Sequence, residues 1–376
     1  MVHCVLYHHI ERHIIPQQHG FSAKRSTNTN LVEFTSDVRD AVDQNIQVDV
    51  IYTDFSKAFD KVNHSILINK LQVFGVSNKL LEWCSSYLTN RLSRVAVLGR
   101  LSRFYIATSG IPQGSTLGPL LFNIFINDIP QAVKHSKVYL FADDLKLLKT
   151  IRNPADIKYL QEDIDNIYRW CNTNKMYLNI SKCHCIQFTK KRHKIQSSYY
   201  IAGTKLNEVA LIRDLGVLMD SRLSFIEHID NIIKQAIKVM GFILRCTKAF
   251  KKPAAVIQLY NSYVRSKLEY CSIVWCPNYK VHVERIESVQ KKFVRSLAYR
   301  YKASKTVKSY ADNVKQFNLV NLYERRVYLD LKFLHKLTNA KIDCPSLVTR
   351  LMFNVPARIP RNPCKLFEIN ACRTNL

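Results

Sequence analysis

Three carboxylates occupy places where a carboxylate can do chemistry. Asp54 closes the run Val48-Asp-Val-Ile-Tyr-Thr-Asp54, whose β-branched and aromatic residues predict a strand. Asp143 and Asp144 stand at the tip of a tight apolar hairpin predicted over residues 137–148. Singly each is ordinary, because Asp is a common turn residue. Together they form a pattern. Hard divalent cations such as Mg²⁺ take oxygen ligands, usually one or two carboxylates plus substrate phosphates. Two such ions, roughly 3.5–4 Å apart, clamp the attacking and leaving oxygens of an in-line phosphoryl displacement. Carboxylates at the ends of adjacent strands suit that geometry, so a polymerase or a nuclease is the candidate class.

Positioning these groups requires a mixed scaffold. Apolar residues at helical spacing predict a helix over 31–46, with the Ser/Thr/Asn cluster at 26–30 able to cap it. A helical stretch follows at 65–90, then a pair of short strands over 94–108. A turn-rich loop, 110–119, runs into an apolar helix at 120–129 with Pro119 near its start. After a helix at 155–175 and a strand region at 177–188, the pattern is helical: 225–244 is strongly amphipathic, and 254–268, 281–297 and 319–337 are similar. The class predicted is α+β in front and all-helical behind, with a boundary near residue 220.

Charge divides the chain at a similar place. Its 376 residues carry 56 Lys and Arg against 29 Asp and Glu, a net charge of +27. Residues 1–150 hold 16 basic and 12 acidic side chains, and residues 151–376 hold the other 40 and 17. A net of +23 in the back part points to a polyanion, nucleic acid above a membrane surface, because the cations form no single amphipathic stripe. The 47% hydrophobic content excludes a disordered basic tail. Clusters such as Lys190-Lys191-Arg192, Lys251-Lys252, Lys291-Lys292 and Arg325-Arg326 are each compatible with a solvated face, and only their sum is informative. The 11 cysteines, Cys183 and Cys185 among them, offer no zinc-site spacing and predict reduced thiols. No secretory signal and no membrane-spanning run is read, so an intracellular setting, cytoplasmic or nuclear, is predicted.

The carboxylates sit in recognisable company. Tyr52-Thr-Asp-Phe-Ser-Lys-Ala-Phe-Asp-Lys-Val62 resembles motif A of reverse transcriptases. Ser109-Gly-Ile-Pro-Gln-Gly-Ser-Thr-Leu-Gly-Pro119 resembles motif B, and Phe141-Ala-Asp-Asp144 resembles motif C. His19-Gly-Phe-Ser-Ala-Lys-Arg-Ser-Thr27 is similar to a segment of non-LTR (LINE-type) retrotransposon enzymes, with Ser22 in place of Arg, Lys24 in place of Gly, and Arg25 kept. Leu178-Asn-Ile-Ser-Lys182 is similar to motif D, Arg213–Asp220 to the primer grip (motif E), and residues 259–275 to the thumb of jockey-like elements. Motifs A, B and C in this order and spacing are highly specific.

This resemblance implies a right-hand polymerase fold: a remnant of fingers at 1–47, a palm with an antiparallel sheet at 48–220, a helical thumb at 221–310, and a basic C-terminal helical extension at 311–376. It implies an RNA-directed DNA polymerase with a two-ion Mg²⁺ site held by Asp54, Asp143, Asp144 and the Phe55 carbonyl. Its substrates would be dNTPs, an RNA template and a DNA primer. Phe59 would block a ribose 2′-hydroxyl, Gln113 and Gly114 would pack on the incoming nucleotide, Arg25 would join the substrate contacts, and Lys182 would protonate the leaving pyrophosphate. Upstream finger strands and an endonuclease usually precede these motifs, so the chain reads as an N-terminally truncated fragment. The competing reading is a catalytically incomplete remnant that only binds nucleic acid. An RNA-dependent RNA polymerase is disfavoured by Phe59 and the Phe-Ala-Asp-Asp motif.

Overall fold

A computed structural model describes residues 2–301 and 309–353. They form two compact units, residues up to 30 with 36–210, and residues 31–35 with those from 211 onward. The class is α+β. No helix of the described residues is long and apolar enough to cross a membrane.

The first unit is built on a five-stranded sheet. Helix α1 (Val2–Ile10) buries Leu6 and Ile10 in its core. Helix α2 (Thr27–Asp43) starts at a capping box, with Ser26 and Thr29 satisfying each other's backbone N–H. Strand β1 (Gln47–Thr53) is almost entirely buried, which explains why Val48, Val50 and Ile51 place apolar side chains on both of its faces. The short helix α3 (Ala58–Lys61) follows, then α4 (His64–Val73) and α5 (Asn78–Leu88). The sequence predicts one helical stretch over 65–90. The chain instead breaks at Gly75, whose φ of 76° ends α4 as only glycine does cheaply.

Where the sequence predicts a pair of strands over 94–108, the ribbon is in four pieces. β2 (Arg91–Ser93) pairs with β5 (Tyr105–Ala107), and β3 (Ala96–Val97) with β4 (Arg100–Leu101). Helix α6 (Gly118–Ile126) is buried on nearly all sides, as its sequence of apolar residues requires, and α7 (Ile129–Ala132) continues it. β6 (Lys137–Phe141) and β7 (Asp144–Ile151) form the expected hairpin. Helix α8 (Pro154–Thr173) covers the sheet, capped by Asn153. β8 (His184–Phe188), the ribbon β9 (Tyr200–Ile201) and β10 (Thr204–Lys205), and β11 (Asn207–Glu208) complete the unit.

The sheet order is β11-β8-β1-β7-β6, antiparallel except for the β11–β8 edge. Asp49 lies at its centre, fully buried. Gln47 Nε2, Ser197 Oγ and Tyr199 Oη donate to its carboxylate at 2.9, 2.6 and 2.7 Å. Lys146 is buried on β7 and donates to Asn30 Oδ1 at 2.8 Å. Two ionisable groups are thus embedded in the sheet with hydrogen-bond partners, as burial demands.

The second unit opens on a hairpin, β12 (Leu211–Asp214) and β13 (Val217–Asp220), whose turn is tied by Tyr270 Oη donating to the Leu215 carbonyl at 2.9 Å. Its helices are α9 (Ile226–Cys246), α10 (Pro253–Tyr260), a π turn at Asn261–Arg265, α11 (Ser266–Glu269), α12 (Ser272–Trp275), α13 (Lys280–Arg300), α14 (Tyr310–Gln316), α15 (Leu322–Thr338) and α16 (Pro345–Val348). On α9 the buried positions 229, 232, 236, 240 and 243 keep three-and-four spacing. Tyr260 stacks on Phe293 of α13 with ring centroids 3.9 Å apart. The predicted extension at 311–376 begins within α14, and its residues 354–376 lie outside the described ones.

Candidate active site

Asp54 follows directly on β1, and Asp143 lies in the two-residue turn between β6 and β7. The register pairs Thr53 with Leu145, and Thr53 Oγ1 donates to the Leu145 carbonyl at 3.2 Å. The ends of two adjacent central strands therefore carry the two carboxylates. Burial pushes the Asp143 carboxyl above the usual carboxylate range, with the Asp54 charge adding to the rise. Asp144, the first residue of β7, is exposed and pairs with Phe141. Two mutually repelling carboxylates with oxygen-only donors fit a hard divalent cation.

The hairpin is held from behind by the segment that precedes α2. Gln18 Oε1 accepts from the Ala142 and Gly20 backbone N–H groups at 2.9 and 2.7 Å, and its Nε2 donates to the Ala142 carbonyl. The His19 N–H donates to the Leu140 carbonyl at 2.9 Å, so residues 17–19 run along the open edge of β6. Ala142 itself has φ 52°, the left-handed conformation in the two-residue turn that carries Asp143. Arg25 Nη1 donates to the carbonyls of Ile15, Pro16 and Gln18 at 3.1, 2.8 and 3.0 Å. This nitrogen of Arg25 is thus a clamp on the bracing segment.

The residues from 177 to 182 lie beside Asp54. The Asn179 N–H donates to the Asp54 carbonyl at 2.7 Å and the Ser56 N–H to the Tyr177 carbonyl at 2.8 Å, a bridge between Phe55 and Leu178. Lys182 ends a 3₁₀ turn with Nζ 3.5 Å from Asp54 Oδ2. Both side chains are open to solvent, 67% for Lys182 and 37% for Asp54.

Phe59, on α3, stacks on the buried ring of Phe122 from α6, with centroids 4.3 Å apart and planes 16° apart. Phe21 meets its edge at 6.2 Å. The 110–119 loop is pinned to the same helix. Gly110 has φ 84°, and a Cβ there would lie 2.7–2.9 Å from the Asp60 backbone. Ser109 Oγ donates to the Asp60 carbonyl and Gln113 Nε2 to Asp60 Oδ1, at 2.9 and 2.8 Å. Gly114 has φ 78° with open space where a Cβ would stand. Asp54, Phe55, Phe59, Gln113, Gly114, Asp143, Asp144 and Lys182 therefore all lie in the first unit, with Lys182 beside Asp54 and Gln113 tied to Asp60 of α3.

Gln18, Gly20 and Asn123, whose Nδ2 donates to the Gly20 carbonyl at 2.9 Å, were not picked out by sequence reasoning. Only the glycine within the 19–27 segment could have signalled the close backbone approach.

The second unit presents exposed cations on α9, and a groove of about 460 Å³ is lined by Gln235, Lys238, Val239, Phe242, Arg245 and Lys267. One basic pair departs from the solvated-face reading of the sequence. Arg325 donates through Nη2 to Glu269 Oε2 at 2.9 Å, and Arg326 is fully buried near Cys276 and Asp330. The physical reason is the placement of Arg326 on the inward face of α15, so Arg325-Arg326 is neither a solvated face nor a phosphate contact.

Among curated proteins, the probable RNA-directed DNA polymerase of transposon X-element from Drosophila melanogaster is 27% identical over 74% of this chain and 31% of its own length. That of transposon BS, from the same organism, is 27% identical over 76% of this chain and 33% of its own. The RNA-directed DNA polymerase of mobile element jockey from Drosophila funebris is 26% identical over 77% and 32%. The chain spans about a third of the length of these relatives. Among solved structures, apo telomerase from Candida tropicalis superposes with a TM-score of 0.48 at 14% identity, covering 92% of this chain and 55% of that one. Residues 1–248 match one family along their whole run, and they contain Asp54, Asp143, the 110–119 loop and the Phe59 ring: the chain belongs to the reverse transcriptase (RNA-dependent DNA polymerase) family.

Proposed function

We propose that this chain is the RNA-directed DNA polymerase domain of a non-LTR retrotransposon protein, joining a dNTP to a primer 3′-hydroxyl on an RNA template. The family generally uses divalent metal ions and works on a nucleic acid template. The observation that carries the reading is the meeting of Asp54 and Asp143 at adjacent strand ends, where burial and then the Asp54 charge raise the Asp143 carboxyl.

In this reading two Mg²⁺ ions are held by Asp54, Asp143 and the Phe55 carbonyl, with Asp144 beside them. Bound there, Mg²⁺ supplies charge neutralisation for an in-line displacement. The protein's own part is positioning. Gln113 and Gly114 form the surface on which the nucleotide lies, and the missing Cβ of Gly114 permits close backbone approach. The ring of Phe59, locked by its stack on Phe122, lies under the sugar and excludes a 2′-hydroxyl. Lys182 gives a proton to the leaving pyrophosphate. Arg25 serves the substrate site by fixing the segment that braces the Asp143 turn.

Residues 1–47 are read as part of the fingers, 48–220 as the palm, 221–310 as the thumb and 311–376 as a basic extension. The exposed cations of the thumb grip a duplex through its phosphates, which holds without reading sequence. An intracellular site of action, cytoplasmic or nuclear, belongs to the same reading.

The test is Mg²⁺-dependent extension of a DNA primer on an RNA template by the full chain, with Asp143→Asn as the control. Extension lost in Asp143→Asn supports the proposal. Primer–template binding without extension, at high protein concentration, establishes the alternative of a nucleic acid-binding remnant.

A further inference from the structure

The β2–β5 ribbon carries no part of the carboxylate site, and its composition is unusual for a solvent-exposed hairpin. Every residue from 94 to 106 is exposed. The tip turns at Leu98-Gly99, both with positive φ, and Leu98 is 99% exposed. Halfway down, the backbones of Val95 and Ser102 close the ribbon, with the Ser102 N–H donating to the Val95 carbonyl and the Val95 N–H to Ser102 Oγ. Arg103 and Phe104 together oppose Arg94, a bulge that brings the Arg94 guanidinium over the Phe104 ring at 4.8 Å.

Such an apolar ribbon is a hazard unless something covers it. Charge selects the occupant. Residues 83–127 contain no Asp or Glu, and the exposed part of the ribbon carries Arg94, Arg100 and Arg103. A second copy of the chain would oppose these cations with the same cations, in a protein already at +27. A polyanion with flat apolar faces meets both demands, its phosphates on the arginines and its bases on exposed Phe104 and Tyr105. Paired bases are hidden in a duplex; unpaired ones are available to stack.

We infer that this ribbon is a binding arm for single-stranded nucleic acid, separate from the duplex grip proposed for the second unit. Its root is tied to the 110–119 loop, because Arg91 Nη2 donates to the Gly110 carbonyl at 2.7 Å. A strand on the arm therefore lies on the approach to Gln113 and Gly114. The inference rests on the nucleic acid reading for its occupant, and not on catalysis.

The experiment measures fluorescence anisotropy of the full chain with a labelled oligo(U) RNA of about twenty nucleotides and, separately, with a duplex of equal length. Phe104→Ala weakens oligo(U) binding roughly fivefold or more, the size of one lost base stack. Arg94→Gln with Arg100→Gln and Arg103→Gln lowers the steepness of the log–log salt dependence by about 2. Duplex binding stays within about twofold in both, and the circular dichroism melt matches the parent because the arm has no core. Unchanged oligo(U) affinity in both variants overturns the inference, as does equal loss on single strand and duplex. A concentration-dependent dimer that Phe104→Ala abolishes would reassign the arm to self-association. Asp143→Asn separates the two proposals: it is expected to lose extension and keep oligo(U) binding.

Discussion

Gly20 and Ala142 meet backbone to backbone: a Cβ on Gly20 would stand 2.2 Å from the Ala142 nitrogen and 2.9 Å from the Phe141 carbonyl carbon. No side-chain rotation relieves such a contact, because both neighbours are main chain. Gly20→Ala must therefore push the turn that carries Asp143, or break the bonds that Gln18 makes to it. The cost in stability is about 1–3 kcal/mol, as for other overpacked sites. Extension should fall much further, on the order of 100-fold, because a misplacement of about 1 Å at a reacting centre costs that much. Single-turnover extension beside urea unfolding checks this. Parental turnover in Gly20→Ala would show that the turn does not depend on its brace.

The site was legible where chemistry dictates residue type, and the bracing was not. Asp54 and Asp143 stand out only together, because two carboxylates at apolar strand ends make a pattern that either alone, as an ordinary turn residue, does not. Gln18 has no such signature, since it acts through one buried amide bonded to backbone, and any sequence offers many glutamines. Helix α6 was readable because a run that is apolar but for Asn123, with Pro119 near its start, has few fates. The break at Gly75 and the four pieces of the β2–β5 ribbon were not, because they depend on local left-handed residues such as Leu98. The inward turn of Arg326 was invisible for a related reason: helical phase decides it, and a charged pair gives no phase.

Asp143→Asn should stabilise the metal-free protein while abolishing extension. The Asp143 pKa is raised by burial and by Asp54. A raised carboxyl pKa means that the folded state holds its proton longer than the unfolded chain. Its contribution to stability is thus present below the unfolded pKa and lost as pH rises through the folded one. At pH 7 in EDTA, Asn removes the repulsion, and the melting temperature rises. At pH 3 the two proteins converge. A lower melting temperature for Asp143→Asn at pH 7 would contradict this account.

Lys182 lies 3.5 Å from Asp54 with most of its side chain in water. The pair is screened, so Lys182→Ala should change stability by less than about 0.5 kcal/mol. If Lys182 protonates pyrophosphate, the same change slows extension by about 100-fold. Lys182→Arg should not restore the rate, because a guanidinium keeps its proton. Parental single-turnover extension in Lys182→Ala would leave this lysine a surface charge.

Phe59→Ala tests the ring stacked on Phe122. Truncating a half-buried aromatic costs about 2 kcal/mol, below the range for fully buried ones, so the variant should fold. Discrimination between dNTP and rNTP should drop by at least about tenfold, the effect of losing one steric contact in a pocket. Competition between dCTP and CTP in primer extension measures it. Equal ratios in the parent and the variant would return Phe59 to plain packing.

His228 and Asp330 should give the second unit two opposing pH dependences. His228 is buried, its Nδ1 accepting from the Leu218 N–H at 3.2 Å and its ring edge against Trp275 at 5.1 Å. Burial first, and Arg213 second, pushes its pKa down to about 4. An unfolded histidine titrates near pH 6.5, so between about 6.5 and 4 only the unfolded chain takes up the proton. The stabilisation is full above that window and lost as pH falls through it, by about 3 kcal/mol in all. Asp330 is pushed up to about 6 by burial, against the pull of Arg326. Between its unfolded value near 3.9 and 6 the folded state holds the extra proton, so stability falls as pH rises. Over the shared window the two slopes cancel in the parent. Asp330→Asn unmasks the histidine, and its urea midpoint should drop more steeply than the parent's from pH 6.5 to 4. His228→Gln unmasks the carboxylate, and its midpoint should shift the opposite way relative to the parent. Identical pH slopes in the three proteins, followed by circular dichroism, would show that neither group titrates out of register on folding.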